Sequence, residues 1–397
     1  MDEGIETVLD NLERRAGVGG ITFAAAYHHG RDIFPHDPVQ KVRFLEGGAI
    51  FFRPELNRYE RLRIHPHVSK LAQDSDVLDE LVTAVERRSM SVHAWTVFLH
   101  NSTLGARYPD CVCRNAFGDP YFTDLCPANP DVRAYVTTLT ADIARYRVHT
   151  IVAESLHYHP LEHGFHHERY LIELGAMARY LLGLCFCNHC RAEARRRDVD
   201  VELVQRTVRE EVGRVFDEEP KNVSSKVDFE EVARLAGGEM GHYLEARNHT
   251  VASLVTEVRE ALAGSGTRFA FMDPSGAVKG YQTGRPTGDA SASISWRLGV
   301  NLPQIAKSAE ELEVIGYAFD PERLRFDLES YRTNTRERTT LTLALRPLSP
   351  DCESAENLAE KIGLARELGI TRVDFYHYGF MRLRTLDWIQ EALAVSR

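Results

Sequence analysis

The sequence has no apolar run near the roughly 18 residues that a membrane-spanning helix needs. Basic charge is also short: 48 Lys and Arg stand against 58 Asp and Glu, a net charge of −10. The basic residues are scattered, mostly within helical patterns, so there is no stripe to track a nucleic-acid backbone. Internal repeats and low-complexity tracts are absent. Met1 to Gly20 is charged and reads as helical, so no secretory leader is expected there. These absences set the expectations: a cytoplasmic protein with no nucleic-acid partner and no membrane partner. In a reducing compartment the seven cysteines stay thiols, and clustered thiols point to a metal before a disulfide.

What is present is alternation. Short apolar strands are followed by amphipathic helices, the pattern of a parallel sheet covered by helices. The strands read as Ile21 to Tyr27, Val92 to Leu99, Thr150 to Ala153, Arg268 to Met272, Glu313 to Phe319, Thr340 to Leu345 and Thr371 to Tyr376. Between them, Ser75 is placed to cap a helix with Leu78, Leu81, Val82 and Val85 on one face. Asn129 before Pro130 starts another, with Val132, Tyr135, Val136, Leu139 and Ile143 in one stripe. Val251, Leu254, Val255, Val258 and Leu262 repeat the pattern. The fold class expected is α/β, a TIM-type (β/α) barrel formed as one domain over residues 1–397. Seven strands is one short of the usual eight. The first strand is therefore expected to be missing, or replaced by Ala49 to Phe52, with the strand at Ile21 counting as the second. The stretch 160–249 is too long for a loop. Its Val201, Val204, Val208, Val212 and Val215 mark a helical insertion after strand four. Flexible loops are expected at Glu218 to Ser225 and Pro274 to Ala290.

The strongest local signal is Cys185-Phe186-Cys187-Asn188-His189-Cys190. Three thiols in so tight a turn can ligate one Zn²⁺, and a fourth ligand would close a tetrahedral structural site. Cys126, Cys111, Cys113 and His189 are the candidates for that fourth position.

The run Leu125-Cys126-Pro127-Ala128-Asn129-Pro130-Asp131-Val132-Arg133-Ala134-Tyr135, then a strand ending Ala153-Glu154, then the CxCxxC turn, resembles family 42 glycoside hydrolases, the β-galactosidase type. The resemblance implies a structural zinc on Cys126, Cys185, Cys187 and Cys190. It also implies that Glu154, at the end of the fourth strand, is the general acid/base. Two positions depart from the family: Ala153 stands where it has Asn, and Arg346 ends the seventh strand where it has the nucleophilic Glu.

Reading the strand ends without any family gives Tyr27-His28-His29, His100-Asn101, Glu154, Asp273, Asp320, Arg346 and Asp374, the positions where barrels of this kind carry their chemistry. Cleaving a glycoside takes two carboxyl groups flanking the bond. Glu154 with Asp320 or Asp273 is the expected pair, although Asp320 before Pro321 also suits a helix N-cap, and Asp273 before Pro274 a turn. Apolar neighbours would raise the Glu154 pKa towards that of a general acid. Substrate contacts are expected from His28, His29, His157, Tyr158, His163, His166, Arg346 and Asp374, with Arg31-Asp32 adding polar groups at the same mouth. The functional expectation is a glycoside hydrolase, or a barrel like one, acting on a small carbohydrate or glycoside. The alternatives are a metal-dependent hydrolase or isomerase using the strand-end histidines, and a carbohydrate-binding barrel without catalysis. Self-association into a homo-oligomer stays open.

Overall fold

The computed structural model describes residues 2–163, 169, 171–218, 226–276, 283–335 and 339–395. Seven parallel strands form its centre: β1 (Gly20–Tyr27), β2 (Ser91–Val97), β3 (Thr150–Glu154), β4 (Arg268–Asp273), β5 (Glu311–Ile315), β6 (Thr340–Leu345) and β7 (Arg372–Phe375). Each pairs in parallel with the next in chain order, and the crossovers carry the covering helices. All seven strands read from the sequence are present. The fifth is displaced: it starts at Glu311 and ends at Ile315, because Gly316 to Phe319 leave the ladder.

The sheet curls, but hydrogen bonds do not close it into a barrel: among the described residues β1 and β7 do not pair. Their tips still meet, with Tyr27 Oη 3.2 Å from Tyr376 Oη. The expectation that Ala49 to Phe52 replaces a barrel strand is corrected. Ala49–Ile50 pairs with β1 for two residues only, at Ala26 and Tyr27, and runs antiparallel. The N-terminal helix α1 (Ile5–Asp10) and the turn that follows pack beside the last helix, α7 (Leu383–Val395). There the Arg15 guanidinium donates to both oxygens of Asp387, at 2.6 and 2.8 Å.

The covering helices follow the expected stripes. In α3 (Pro130–Ala144), Asn129 Oδ1 accepts from the Asp131 and Val132 N–H groups, and Val132, Tyr135, Val136, Leu139 and Ile143 are buried. α2 (Val77–Val85) buries Leu78, Leu81 and Val85, but its N-cap is Asp76 rather than Ser75. α4 (Glu239–Ala261) carries Val251, Leu254, Val255 and Val258 against the sheet. α5 (Pro321–Asn334) and α6 (Ala355–Glu367) flank β6. Between β3 and β4 the chain forms helices at Gly175–Leu182, Asn188–Arg195 and Val201–Asp217. These gather Leu181, Leu184, Phe186, Val204, Val208 and Val212 into an apolar cluster of their own. Of the loops expected to be flexible, Glu218 to Ser225 lies outside the described residues beyond Glu218, and Pro274 to Ala290 is described at 274–276 and 283–290. No described helix is long and apolar enough to cross a membrane.

Candidate active site and ligand clusters

A cavity of about 1880 Å³ opens at the strand tips and extends into the curled sheet. Register decides which side chains reach it. Ala153 is level with Phe271, so Glu154 and Met272 share the inward face and both line the cavity. Trp95, on the neighbouring strand, donates its indole N–H to Glu154 Oε2 at 2.6 Å. Burial pushes the Glu154 carboxyl up to about 7, while the Trp95 hydrogen bond and the charge of His163 pull the other way. A carboxyl held there is part protonated at neutral pH, as a general acid requires.

Aromatic rings form the wall beneath. Trp95 meets Tyr27 and Tyr376 edge-on, at ring-centroid distances of 5.2 and 5.4 Å. Tyr317 lies 5.9 Å from Tyr376, and all four rings line the cavity. Pockets that hold small molecules combine such apolar faces with a few fixed polar groups.

The structure does not bring all the expected residues here. Asp273 is one residue beyond the inward-facing Met272, so it points outward. There it is fully buried and accepts from Ser275 Oγ (2.7 Å), Ser295 Oγ (2.6 Å) and Tyr331 Oη (2.7 Å). Burial raises its pKa and those three donors lower it again. Asp320 is the N-cap of α5, accepting from the Glu322 N–H at 3.0 Å. Neither lines the cavity. Arg346 is buried against Asp351, its guanidinium 4.6 Å above the Tyr317 ring. Asp374, within β7, does line the cavity, where Arg372 joins it at 3.2 Å and also binds Glu313 at 2.9 Å. Burial and the Asp374 charge push the Glu313 carboxyl up. His28, His29 and His163 line the cavity; His157 and Tyr158 are buried behind it. His166 lies outside the described residues.

Two residues at or near the cavity, Trp95 and Asp124, were not singled out from the sequence, whereas Asp32 was expected, with Arg31, as a polar group at the mouth. Asp32 lines the cavity, its pKa raised by burial and lowered by His28. Trp95 was readable as the inward aromatic one pleat below a strand tip. Asp124, after a hairpin turn, carried no signal of its own.

The thiols converge. Sγ of Cys126 is 3.4 Å from that of Cys187 and 3.5 Å from that of Cys190, and with Cys185 all four lie within 4.8 Å of one another. All four are buried and unbridged. Tetrahedral zinc with Zn–S near 2.3 Å sets its sulfurs roughly 3.8 Å apart, so the donor set fits that ion. The Arg114 N–H donates to Cys185 Sγ at 3.4 Å, and Tyr158 Oη lies 3.2 Å from Cys190 Sγ. Of the other candidates for the fourth ligand, Cys111, Cys113 and His189 are outside the set.

A second cluster holds His100, Asp124 and His163. His100 and Asp124 face each other across an antiparallel bridge between β2's exit and the hairpin strand Pro120–Leu125. His159 Nδ1 lies 3.2 Å from Asp124 Oδ1.

No family model and no curated protein matches the chain. Among solved structures it is similar to α-L-fucosidase isoenzyme 2 from Paenibacillus thiaminolyticus, with 12% identity, 99% of this chain and 46% of that chain covered, and a TM-score of 0.54. It is also similar to a β-galactosidase from the psychrophilic Marinomonas ef1, with 12% identity, 99% and 57% covered, and a TM-score of 0.53. The chain thus spans about half the length of these structures. The likeness is one of fold: a glycoside-hydrolase-like arrangement of strands and helices.

Proposed function

We propose that the chain is a glycosidase-like enzyme that cleaves a small glycoside, with Glu154 as general acid. The observation that carries this reading is the Glu154 carboxyl itself: inward-facing at a strand tip, raised to about 7 by burial, and oriented by Trp95 Nε1 at 2.6 Å. Protonated, it donates to the leaving glycosidic oxygen, while the aromatic wall of Trp95, Tyr376 and Tyr317 supplies apolar faces for a sugar ring. The names of the two solved structures, a fucosidase and a β-galactosidase, agree with carbohydrate as the substrate class.

A second carboxylate must serve the other side of the bond. We assign that role to Asp32 in preference to Asp320 or Asp273, because it lines the same cavity and they do not. The family 42 likeness is carried by the thiol segment and Glu154, and the seventh-strand tip, Arg346, does not share it. Zinc on Cys126, Cys185, Cys187 and Cys190 belongs to this reading as a structural ion: four thiolates fill its coordination and leave no position for substrate.

Glu154→Gln keeps the shape and removes the transferable proton. Turnover of a glycoside with a poor leaving group should fall roughly 10²–10⁴-fold, and that of an activated aryl glycoside less. Asp32→Asn should depress both. Unchanged activity in Glu154→Gln on both substrates would remove this residue from the mechanism.

A further inference from the structure

The histidines around Asp124 are not used by the chemistry above. His100 Nδ1 and His163 Nδ1 lie 3.0 Å apart, and Asp124 Oδ1 is 4.0 Å from His163 Nδ1. The three donor atoms all fall within 4.8 Å of one another. Two nitrogens and one oxygen bound at about 2.0–2.1 Å around a tetrahedral ion stand roughly 3.3 Å apart, close to this spread. Asp124 is buried, and among the described residues its ion-pair partners are histidines alone. Among the described residues its Oδ1 has no well-aligned hydrogen-bond donor, and the buried Nε2 atoms of His100 and His159 have no hydrogen-bond partner. A buried carboxylate without a strong donor is costly unless it meets a cation.

We propose that His100 Nδ1, His163 Nδ1 and the Asp124 carboxylate form a second metal site, for a divalent first-row transition ion. Two imidazoles and one carboxylate are the donor set such ions take, whereas magnesium and calcium prefer oxygen ligands. The backbone explains how the site is built. His100 and Asp124 are fixed opposite each other by the strand bridge, with Leu125 N–H donating to Leu99 O at 2.9 Å and Asn101 N–H to Thr123 O at 2.8 Å. His163, on the loop after β3, is the ligand that completes the set from the open side. His100 and His163 line the cavity, so the remaining coordination positions lie on its side and suit water or a sugar hydroxyl.

The purified full chain is dialysed against EDTA and titrated with Co²⁺. The expected result is uptake of an ion with visible d–d bands and without thiolate-to-cobalt charge transfer, which separates it from the four-thiol cluster. His163→Ala, on the loop, and His100→Gln should each weaken that uptake by more than the roughly 10–100-fold that a change in an outer-shell partner costs. The melting temperature of His163→Ala should not move. Uptake showing only thiolate charge transfer would overturn the proposal. So would equal affinity in wild type, His163→Ala and His100→Gln. No glycoside enters the experiment, so its failure leaves the assignment of Glu154 standing.

Discussion

The thiol cluster and the histidine mouth are built from the same two stretches of chain and come out opposite in character. Asp124 and Cys126 sit at the end of one hairpin strand; Tyr158 and His159 are neighbours on one loop. Tyr158 Oη meets Cys190 Sγ at 3.2 Å, while His159 Nδ1 meets Asp124 Oδ1 at 3.2 Å. On one side four buried sulfurs close on themselves. On the other, His100, His159, His163 and Glu154 border a large cavity. Closed soft-donor sites contribute to stability, and open mouths with unsatisfied polar groups are where ligands bind. The cavity can therefore keep loosely satisfied polar atoms because rigid chemistry lies immediately behind it.

The hardest test of that division is Cys187→Ser. Structural zinc binding is coupled to folding, so losing one ligand should lower Tm by at least roughly 5 °C in calorimetry. Activity per folded molecule should stay within about twofold. A variant that melts like wild type yet loses turnover would put the thiols in the mouth's chemistry and erase the contrast.

Next in size is the pH response of Glu154. Its folded pKa is raised from 4.5 to about 7. The protonated carboxyl therefore contributes stability that is fully present below about 4.5 and is lost as pH rises through about 7. Glu154→Gln stays neutral throughout, so denaturant unfolding should show the wild type losing ground to the variant over that window. The alkaline limb of wild-type activity should fall in the same range, since the acid form is the one that works. Parallel stability curves for the two proteins would show that Glu154 titrates as an ordinary surface carboxylate.

A smaller effect is expected for Trp95→Phe. The indole N–H favours the charged form of Glu154, and hydrogen bonds to charged groups contribute about 1.5–3 kcal/mol. Without it, the alkaline limb should move up by roughly one pH unit. An unmoved profile would mean that the 2.6 Å contact does not set the Glu154 pKa.

The fold was legible because apolar runs and helical stripes report burial directly, as Ile21 to Tyr27 and the α3 stripe show. The seam between β1 and β7 was legible only as a missing strand, since nothing local in Ala49–Ile50 says that it runs antiparallel. Glu154 was legible twice, from its strand tip and from the resemblance. Asp273 misled because a strand end does not tell which face a side chain takes. That parity is set by the register with β3, and its partner Tyr331 comes from a distant helix. Asp124 was invisible for the same kind of reason: only the bridge to His100 turns a hairpin aspartate into part of a cluster.

The smallest expected effect belongs to Asp320→Asn, and it bears on whether the mouth is the only place where a carboxylate matters for turnover. Asp320 and Asp32 both lie beyond a strand of the central sheet, Asp32 within the short strand Gly30–Ile33 that pairs with Val42–Leu45, and Asp320 directly before α5. Asp320, though, is spent on a helix end: its Oδ1 accepts from the Glu322 N–H at 3.0 Å, with Pro321 in the first turn. Asn caps a helix about as well as Asp through the same side-chain oxygen, so the change leaves the hydrogen bond and removes only the charge. The charge itself interacts with the helix dipole by about 0.3–1 kcal/mol at an exposed site. Tm should therefore fall by no more than a degree or two, with turnover within error of wild type, while Asp32→Asn, equally mild in volume, should lose activity with little change in Tm. Should Asp320→Asn abolish turnover with its Tm intact, the second carboxylate would be Asp320 after all. The loop that carries it would then have to close over the cavity when substrate binds.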